Sequence, residues 1–235
     1  MPNNFSRILI TLILLAGCFA FFDLTETDLW LQDRLYNFNE HHWLVRSDAR
    51  LPRLIFYTGP KWVMGITAAF TLLWLVIPSR WRAKKLELPC PKRRLWLALL
   101  CAAAVPLTIG AMKSKSDIYC PWAITRYGGE VPYFHFFDPL PPGLAPDCGQ
   151  CFPAGHASGG FALLGLYYLS DRPRNRWIGL MIGLGCGWIM GLYQMLRGAH
   201  FLSHTIVTML IAALIAQILA RLFKVDPPPP AQTAK

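Results

Sequence analysis

The chain of 235 residues carries a formal net charge of +10, with 54% hydrophobic and only 15% charged residues. This composition excludes an ordinary soluble domain. The apolar residues stand in long blocks and do not form a stripe that repeats every ~3.6 residues, which is typical of membrane helices.

The apolar blocks predict an all-α, polytopic membrane protein that forms a single domain over residues 1–235. The six predicted transmembrane helices are Phe5–Phe22, Trp62–Ile77, Leu95–Met112, His156–Leu169, Trp177–Leu196 and Thr205–Leu222. The fourth is short for a span of about 20 residues, so we expect its start to lie below the membrane surface, at the base of a cavity. An outer loop at about 113–155 and a disordered Pro-rich tail at about 225–235 complete the domain.

Two features of the N-terminal region add to this interpretation. The sequence Leu15–Cys18 resembles a lipoprotein cleavage box, although the apolar residues Phe19–Phe22 that follow favour a longer span. Between Asp23 and Lys61, apolar residues mixed with acids and amides indicate an amphipathic segment at the membrane interface.

The basic residues lie on one side of the six-helix arrangement. Seven Lys and Arg residues fall in Ser79–Arg94 and three Arg residues in Ser170–Arg176, and Arg221 and Lys224 follow the last helix. The positive-inside rule makes this side cytoplasmic. Because short loops between helices hold much of the positive charge, we expect no nucleic-acid partner.

Three of the seven cysteines, Cys120, Cys148 and Cys151, fall in the outer loop. An oxidising outer face permits a disulfide between Cys120 and either Cys148 or Cys151. Free thiols are a second interpretation. A metal or redox role of the C-x-x-C pair is the third.

Two segments carry the candidate chemistry, Pro153–Gly160 (PAGHASGG) and Arg197–His204 (RGAHFLSH). They place His156 and His200 at the ends of apolar runs. One imidazole can attack phosphorus while the other protonates the leaving oxygen. A helix that begins at Gly155 offers free backbone N–H groups to an anion.

Cations accompany these histidines. Lys113 ends the third apolar run, and Arg197 offers a planar donor fork to phosphate. His204 follows His200 by four residues, on the same face if the segment is helical, which suits a metal pair or a nucleophile with an orienting neighbour. The structural alternative is interfacial anchoring by Lys113 and Arg197 beside incidental histidines. We predict that Lys113, His156, Arg197 and His200 converge on one cavity at the outer membrane boundary.

These residues resemble the motifs of the type 2 phosphatidic acid phosphatase (PAP2) superfamily of membrane lipid phosphatases. The first family motif is lysine, six residues and then Arg-Pro. Lys113 and Pro121 match it, with Cys120 at the arginine position. The second is Pro-Ser-Gly-His, and here Pro153–His156 matches it with alanine in place of serine.

The third family motif is Ser-Arg, five residues, histidine, three residues and aspartate. His200 takes the histidine position, Tyr193-Gln194 replace Ser-Arg, and His204 replaces the aspartate. Arg197 stands one helical turn beyond the expected arginine position, and Gln194 can still donate a neutral hydrogen bond.

The resemblance implies a hydrolase of lipid phosphoric monoesters or diphosphates that needs no metal and no cofactor. His200 is then the nucleophile that forms a phosphohistidine, His156 protonates the departing oxygen, and His204 orients His200. The implied phosphate-binding residues are Lys113, Arg197, Gln194 and, through its backbone, Gly155.

The implied substrate is a phospholipid, polyprenyl or lipid A phosphate, such as undecaprenyl diphosphate, lipid A or phosphatidylglycerol phosphate. The implied location is a bacterial inner membrane, with the site facing the periplasm. Two other functions stay open: a lipid phosphotransferase on the same site, and a non-catalytic protein that binds a lipid or a metal through His200, His204 and the cysteines.

Overall fold

The computed structural model describes residues 4–46, 48–78 and 90–225, and helices dominate this part of the chain. Its seven α-helices are α1 (Asn4–Asp23), α2 (Thr27–Gln32), α3 (Arg50–Val76), α4 (Lys92–Lys113), α5 (Gly155–Ala162), α6 (Pro173–Leu196) and α7 (Leu202–Leu222). Shorter 3-10 turns stand at Asp33–Leu35, Pro121–Ala123, Thr125–Tyr127 and Leu163–Tyr168. Strands β1 (Tyr36–Asn37) and β2 (His42–Trp43) form an antiparallel hairpin, with Tyr36 opposite Trp43.

Five of the described helices, α1, α3, α4, α6 and α7, are long and apolar enough to cross a membrane. The prediction of six spans is therefore not confirmed. In place of the predicted span His156–Leu169 stand α5, with eight residues, and a 3-10 segment over Leu163–Tyr168. Three glycines in α5, at 155, 159 and 160, lower its helix propensity.

Helix α3 begins twelve residues before the predicted start at Trp62 and contains a π-helical turn at Leu54–Thr58. The predicted amphipathic segment is thus divided between α2, the hairpin and the first turns of α3. Residues 79–89 of the predicted basic loop, and the predicted disordered tail from residue 226 onward, lie outside the described residues.

Helix α1 packs against α7 and presents an apolar outer face. Thr11 Oγ1 and the Gln217 side chain join the two helices, with Gln217 Nε2 donating at 2.9 Å. Side chains such as Phe5, Leu9 and Ile13 point away from the protein and are about half exposed. An apolar surface of this kind is what a helix bundle presents to lipid.

Helix α5 lies at the centre of the bundle, in contact with α4, α6 and α7. It contributes Ala157 and Phe161, both fully buried, to the main hydrophobic cluster. Val105 and Ile109 of α4 and Val207 of α7 close the cluster around them. The short helix is therefore held by its neighbours on several sides, because a helix of eight residues is not stable alone.

Glycines at four-residue intervals on α6 allow α5 and its 3-10 extension to approach very closely. A Cβ atom at Gly183 would lie 2.7 Å from the backbone nitrogen of Leu164, and one at Gly187 would lie 2.1 Å from the Phe161 ring. Small residues serve the same purpose at other membrane helix contacts. The separation of the two segments is thus set by the absence of side chains on α6.

Gly183→Ala should lower the free energy of unfolding by about 1–3 kcal/mol, because backbone atoms of Leu163 and Leu164 occupy the space of the new methyl group. The measurement is the denaturant midpoint of the purified protein in detergent micelles. Gly185→Ala is the matched control, since a Cβ atom there meets nothing within 4 Å. Equal midpoints for the two variants would show that the close approach is wrong.

Candidate active site

The turn between α6 and α7, residues 197–201, carries Arg197 and His200. Gly198 has a φ of +70°, and a Cβ atom there would lie 2.1 Å from the Trp43 indole, so only glycine fits. The turn ends just before α7, which places His204 in the first turn of that helix. His200 and His204 therefore do not share a helix face, although their Nδ1 atoms are still only 3.4 Å apart.

Helix α2 holds both ends of this turn. The Gln32 side-chain amide donates to the Met195 carbonyl at 2.9 Å, at the end of α6. The Asp28 carboxylate accepts the backbone N–H of Ser203 at 2.9 Å and the Ser203 hydroxyl, at the start of α7. Both α2 side chains are buried, so the cap of the α7 N-terminus comes from another part of the chain. Burial raises the pKa of Asp28 to about 6, against the opposite effect of the Ser203 bonds.

Three imidazoles form a continuous row. His156 Nδ1 lies 3.2 Å from His200 Nε2, and His200 Nδ1 lies 3.4 Å from His204 Nδ1. His200 and His204 are almost fully buried, whereas His156 is partly open. A proton can therefore pass along the row only between neighbouring ring nitrogens, and His156 is the member that faces the exterior.

Burial and positive charge lower the pKa of two of these rings, His156 and His200. Burial is the largest cause that lowers the pKa of His156 to about 4, and the charges of Lys113 and Arg197 add to it. Burial, followed by the charges of His204 and His156, holds the pKa of His200 well below its ordinary value. In a neutral His200, one ring nitrogen carries the proton and the other has the lone pair that a nucleophile requires.

Lys113 and Arg197, two of the predicted phosphate-binding residues, lie near the same row, because the charges of both act on His156. The Lys113 side chain passes next to Gly155, where a Cβ atom would lie 3.6 Å from Lys113 Cδ. The Arg197 guanidinium carbon lies 5.8 Å from the Tyr193 ring centroid. Arg197 Nε and both amide atoms of Gln194 are buried without a hydrogen-bond partner among the described residues. Arg197 Nε and Gln194 Nε2 are therefore unused donors, which an anion can satisfy, whereas Gln194 Oε1 is an acceptor.

A disulfide joins Cys120 and Cys151, as one of the sequence interpretations predicts, and Cys148 is an exposed free thiol. Cys151 Sγ lies 3.5 Å from His200 Nδ1. The ligand atoms of Cys120, Cys151 and His200 lie within 4.8 Å of one another. The two sulfurs are bonded to each other, so they offer no thiolate to a metal in this state.

Sequence reasoning missed two contributions from the N-terminal region. One is the pair Asp28 and Gln32, whose spacing of four on α2 marks a polar face that turns inward. The other is Tyr57, whose ring centroid lies 4.8 Å from that of His156. The spacing of Arg53, Tyr57 and Lys61 at every fourth residue is a signal that could have found it.

A model of the PAP2 superfamily matches residues 94–226, which is more than half of the chain, so the chain belongs to this superfamily. Membership indicates phosphatase activity on phosphate esters. The matched range contains Lys113, His156, Arg197, His200 and His204. No curated protein and no solved structure matches the chain.

Asp28→Ala should destabilise the start of α7 by about 1–3 kcal/mol, because the buried Ser203 N–H and hydroxyl lose their acceptor. The checks are the unfolding midpoint in detergent and the hydrogen-exchange rate of the Ser203 amide, which should rise. Asp48→Ala, which removes an exposed partner of Arg46, is the control and should change neither. Identical behaviour of the two variants would contradict the capping role.

His156 should titrate near pH 4 in the free protein, because burial and nearby positive charges disfavour its protonated form. Lys113→Gln removes one of these charges and should raise the pKa. Inorganic phosphate should also raise it, because a dianion beside the ring stabilises the imidazolium. Ring resonances of histidine-labelled protein give the titration. A His156 that titrates near its ordinary value in the unliganded protein would contradict the prediction.

Proposed function

We propose that the protein hydrolyses a phosphate or diphosphate monoester of a lipid, through a phosphohistidine on His200, at the periplasmic face of a bacterial inner membrane. The observation that carries the proposal is the row of three imidazoles in contact, beside Lys113 and Arg197. Family membership supports the reaction class.

In the first step, His200 Nε2 attacks phosphorus and the bond from phosphorus to the lipid oxygen breaks. Lys113, Arg197 and the N–H groups at the start of α5 hold the phosphoryl oxygens. His156 gives a proton to the departing oxygen, which leaves as a neutral hydroxyl. The negative charge of the bound phosphate raises the pKa of His156, so that His156 carries this proton.

In the second step, water attacks the phosphohistidine and the phosphorus–nitrogen bond breaks. His156, now neutral, accepts the proton from the water, and inorganic phosphate leaves. The site thus returns to its starting state.

The histidine row must open for this chemistry. His156 and His200 are in direct contact at 3.2 Å. A phosphoryl group between them needs about 3 Å on the nucleophile side and a further hydrogen bond on the other. The partly exposed His156 ring is the one with room to move.

His204 takes the place of the family aspartate. A neutral imidazole can hold the tautomer of His200 by one hydrogen bond, but it brings no negative charge to stabilise the imidazolium. We propose that His204 is an orienting group whose contribution is smaller than that of a carboxylate.

A lipid substrate agrees with the surroundings of the site. Five of the described helices are long and apolar enough to cross a membrane. On the side of His156, the residues of α3 that precede Tyr57, namely Leu54, Ile55 and Phe56, are apolar and exposed. Exposed apolar side chains beside the leaving-group end of the row suit a hydrocarbon chain.

We propose a six-crossing arrangement in which α5 and its 3-10 extension form a shortened crossing. Gly160 approaches Gly187, and Leu166 approaches Gly179, so the two segments run antiparallel along α6. They connect the histidine end of the bundle with the basic link Ser170–Arg176. The positive-inside rule then places the histidines at the periplasmic face.

The functional test is phosphate release from a panel of lipid phosphates by purified protein, with and without a chelator. His200→Ala should abolish release, because no other group replaces the nucleophile. His204→Ala should cost about 10² to 10⁴ in rate, the range of acid–base assistance. His204→Asp should preserve or raise the rate, because a carboxylate stabilises the imidazolium.

His42→Ala is the control, since the His42 side chain is exposed on the hairpin and, among the described residues, bonds to its neighbours Trp43 and Glu40. If His204→Asp and chelator both abolish release, the histidines form a metal site and the phosphohistidine mechanism is wrong. Transfer of phosphate to a second lipid without release would instead identify a phosphotransferase.

A further inference from the structure

The first turns of α3 bring a second set of polar side chains to the histidine row. The Tyr57 ring lies against His156, with the ring centroids 4.8 Å apart. Lys61 Nζ donates to the Tyr57 hydroxyl at 3.4 Å, and Arg53 stands one turn before Tyr57. Tyr57 lies in the π-helical turn, a feature that often occurs at functional sites. All three residues precede the part of the chain that matches the family.

Four positive charges act on His156, namely those of Lys113, Arg197, Lys61 and Arg53. None of the four forms an ion pair with a carboxylate in the part of the chain that the structure describes. Residues 49–78 contain no Asp or Glu, so α3 itself offers no counterion.

Four other cations in the described part of the chain are paired with aspartate, in Arg46–Asp48, Arg94–Asp171, Lys115–Asp147 and Arg126–Asp33. The four cations that act on His156 differ from these, because no described carboxylate pairs with them. Like charges that are held together without counterions favour an anion of several charges.

The four cations divide into two pairs by depth. Lys113 and Arg197 are half-buried beside the histidines, whereas Arg53 and Lys61 are exposed at the rim. A phosphate monoester brings a charge of about −2, which the inner pair matches. The rim pair, Arg53 and Lys61, is then available to bind a second phosphate.

We propose that Arg53, Tyr57 and Lys61 form a rim subsite for the lipid-proximal phosphate of a lipid diphosphate, so that the protein prefers a diphosphate monoester to a monophosphate. This inference rests on the proposed hydrolysis at His200. The terminal phosphate then occupies the inner pair, and the second phosphate lies next to His156.

The position fits the chemistry of a diphosphate. His200 attacks the terminal phosphorus, and the bond from that phosphorus to the bridging oxygen breaks. The bridging oxygen receives the proton of His156 and leaves as part of a lipid monophosphate. Arg53 and Lys61 bind the charge of this leaving group on the side where His156 contacts Tyr57, which lowers the barrier to its departure.

The test compares two substrates that differ by one phosphate, farnesyl diphosphate and farnesyl monophosphate, in detergent micelles. The double variant Arg53→Gln with Lys61→Gln should lower kcat/KM for the diphosphate by about 10- to 100-fold, because two charge-assisted hydrogen bonds are lost. Its kcat/KM for the monophosphate should fall less than about threefold. Tyr57→Phe, which keeps the ring on His156, should lower only the diphosphate value.

Lys115→Gln is the matched control, because Lys115 is an exposed cation near Lys113 that pairs with Asp147. It should change neither substrate. An equal loss on both substrates in the double variant would overturn the rim subsite and leave the proposed hydrolysis intact. A wild-type preference for the monophosphate would overturn it as well.

Binding separates this inference from the proposed function. If the wild-type protein hydrolyses neither compound and releases no phosphate from the lipid panel, the proposed function fails. The affinities of farnesyl methylenediphosphonate and farnesyl phosphonate are then compared by calorimetry on the full chain. Weaker binding of the diphosphonate alone in the double variant supports the rim subsite, and unchanged binding of both compounds overturns it.

Discussion

The close approach of α5 to α6 is the constraint on which the rest of the structure depends. Backbone meets backbone where Gly160 faces Gly187, and a Cβ atom at Gly160 would lie 2.6 Å from the facing backbone. A helix of only eight residues can hold its place because its neighbours touch it so closely. His156 opens this helix, so its distance from His200 follows from contacts that lie deeper in the bundle.

The position of His200 depends on parts of the chain that do not match the family. Asp28 and Gln32 of α2 bond to the two ends of the turn, and Trp43 packs on Gly198 within it. The histidines belong to residues 94–226, which match the family, whereas the side chains that hold their turn in place come from the N-terminal region. Buried supports of this kind fix a side chain more closely than the turn alone can, because a short loop has several accessible conformations.

The electrostatics of the site follow from the same packing. Enclosure in the bundle lowers the pKa of His200, and enclosure beside four cations lowers the pKa of His156. A site with neutral bases and unpaired cations is complementary to an anion that brings its own charge and raises the pKa of the general acid on binding. Lys113 and Arg197 belong to the family match, while Arg53 and Lys61 do not. Part of the positive charge that acts on His156 therefore comes from outside the residues that match the family.

The sequence by itself determined the helical class, most of the membrane-spanning segments and the family, because long apolar blocks and motif spacing are local properties of the chain. It also limited the disulfide to Cys120 with Cys148 or Cys151. Only the tertiary structure decided which of these pairs forms, that the predicted fourth span is divided into α5 and a 3-10 segment, that Asp28 caps the start of α7, and that Tyr57 packs on His156. Those outcomes depend on contacts between residues more than a hundred positions apart in some cases, as with Asp28 and Ser203. A local sequence pattern does not predict such a contact, because the contact depends on how glycines and buried side chains pack together in three dimensions.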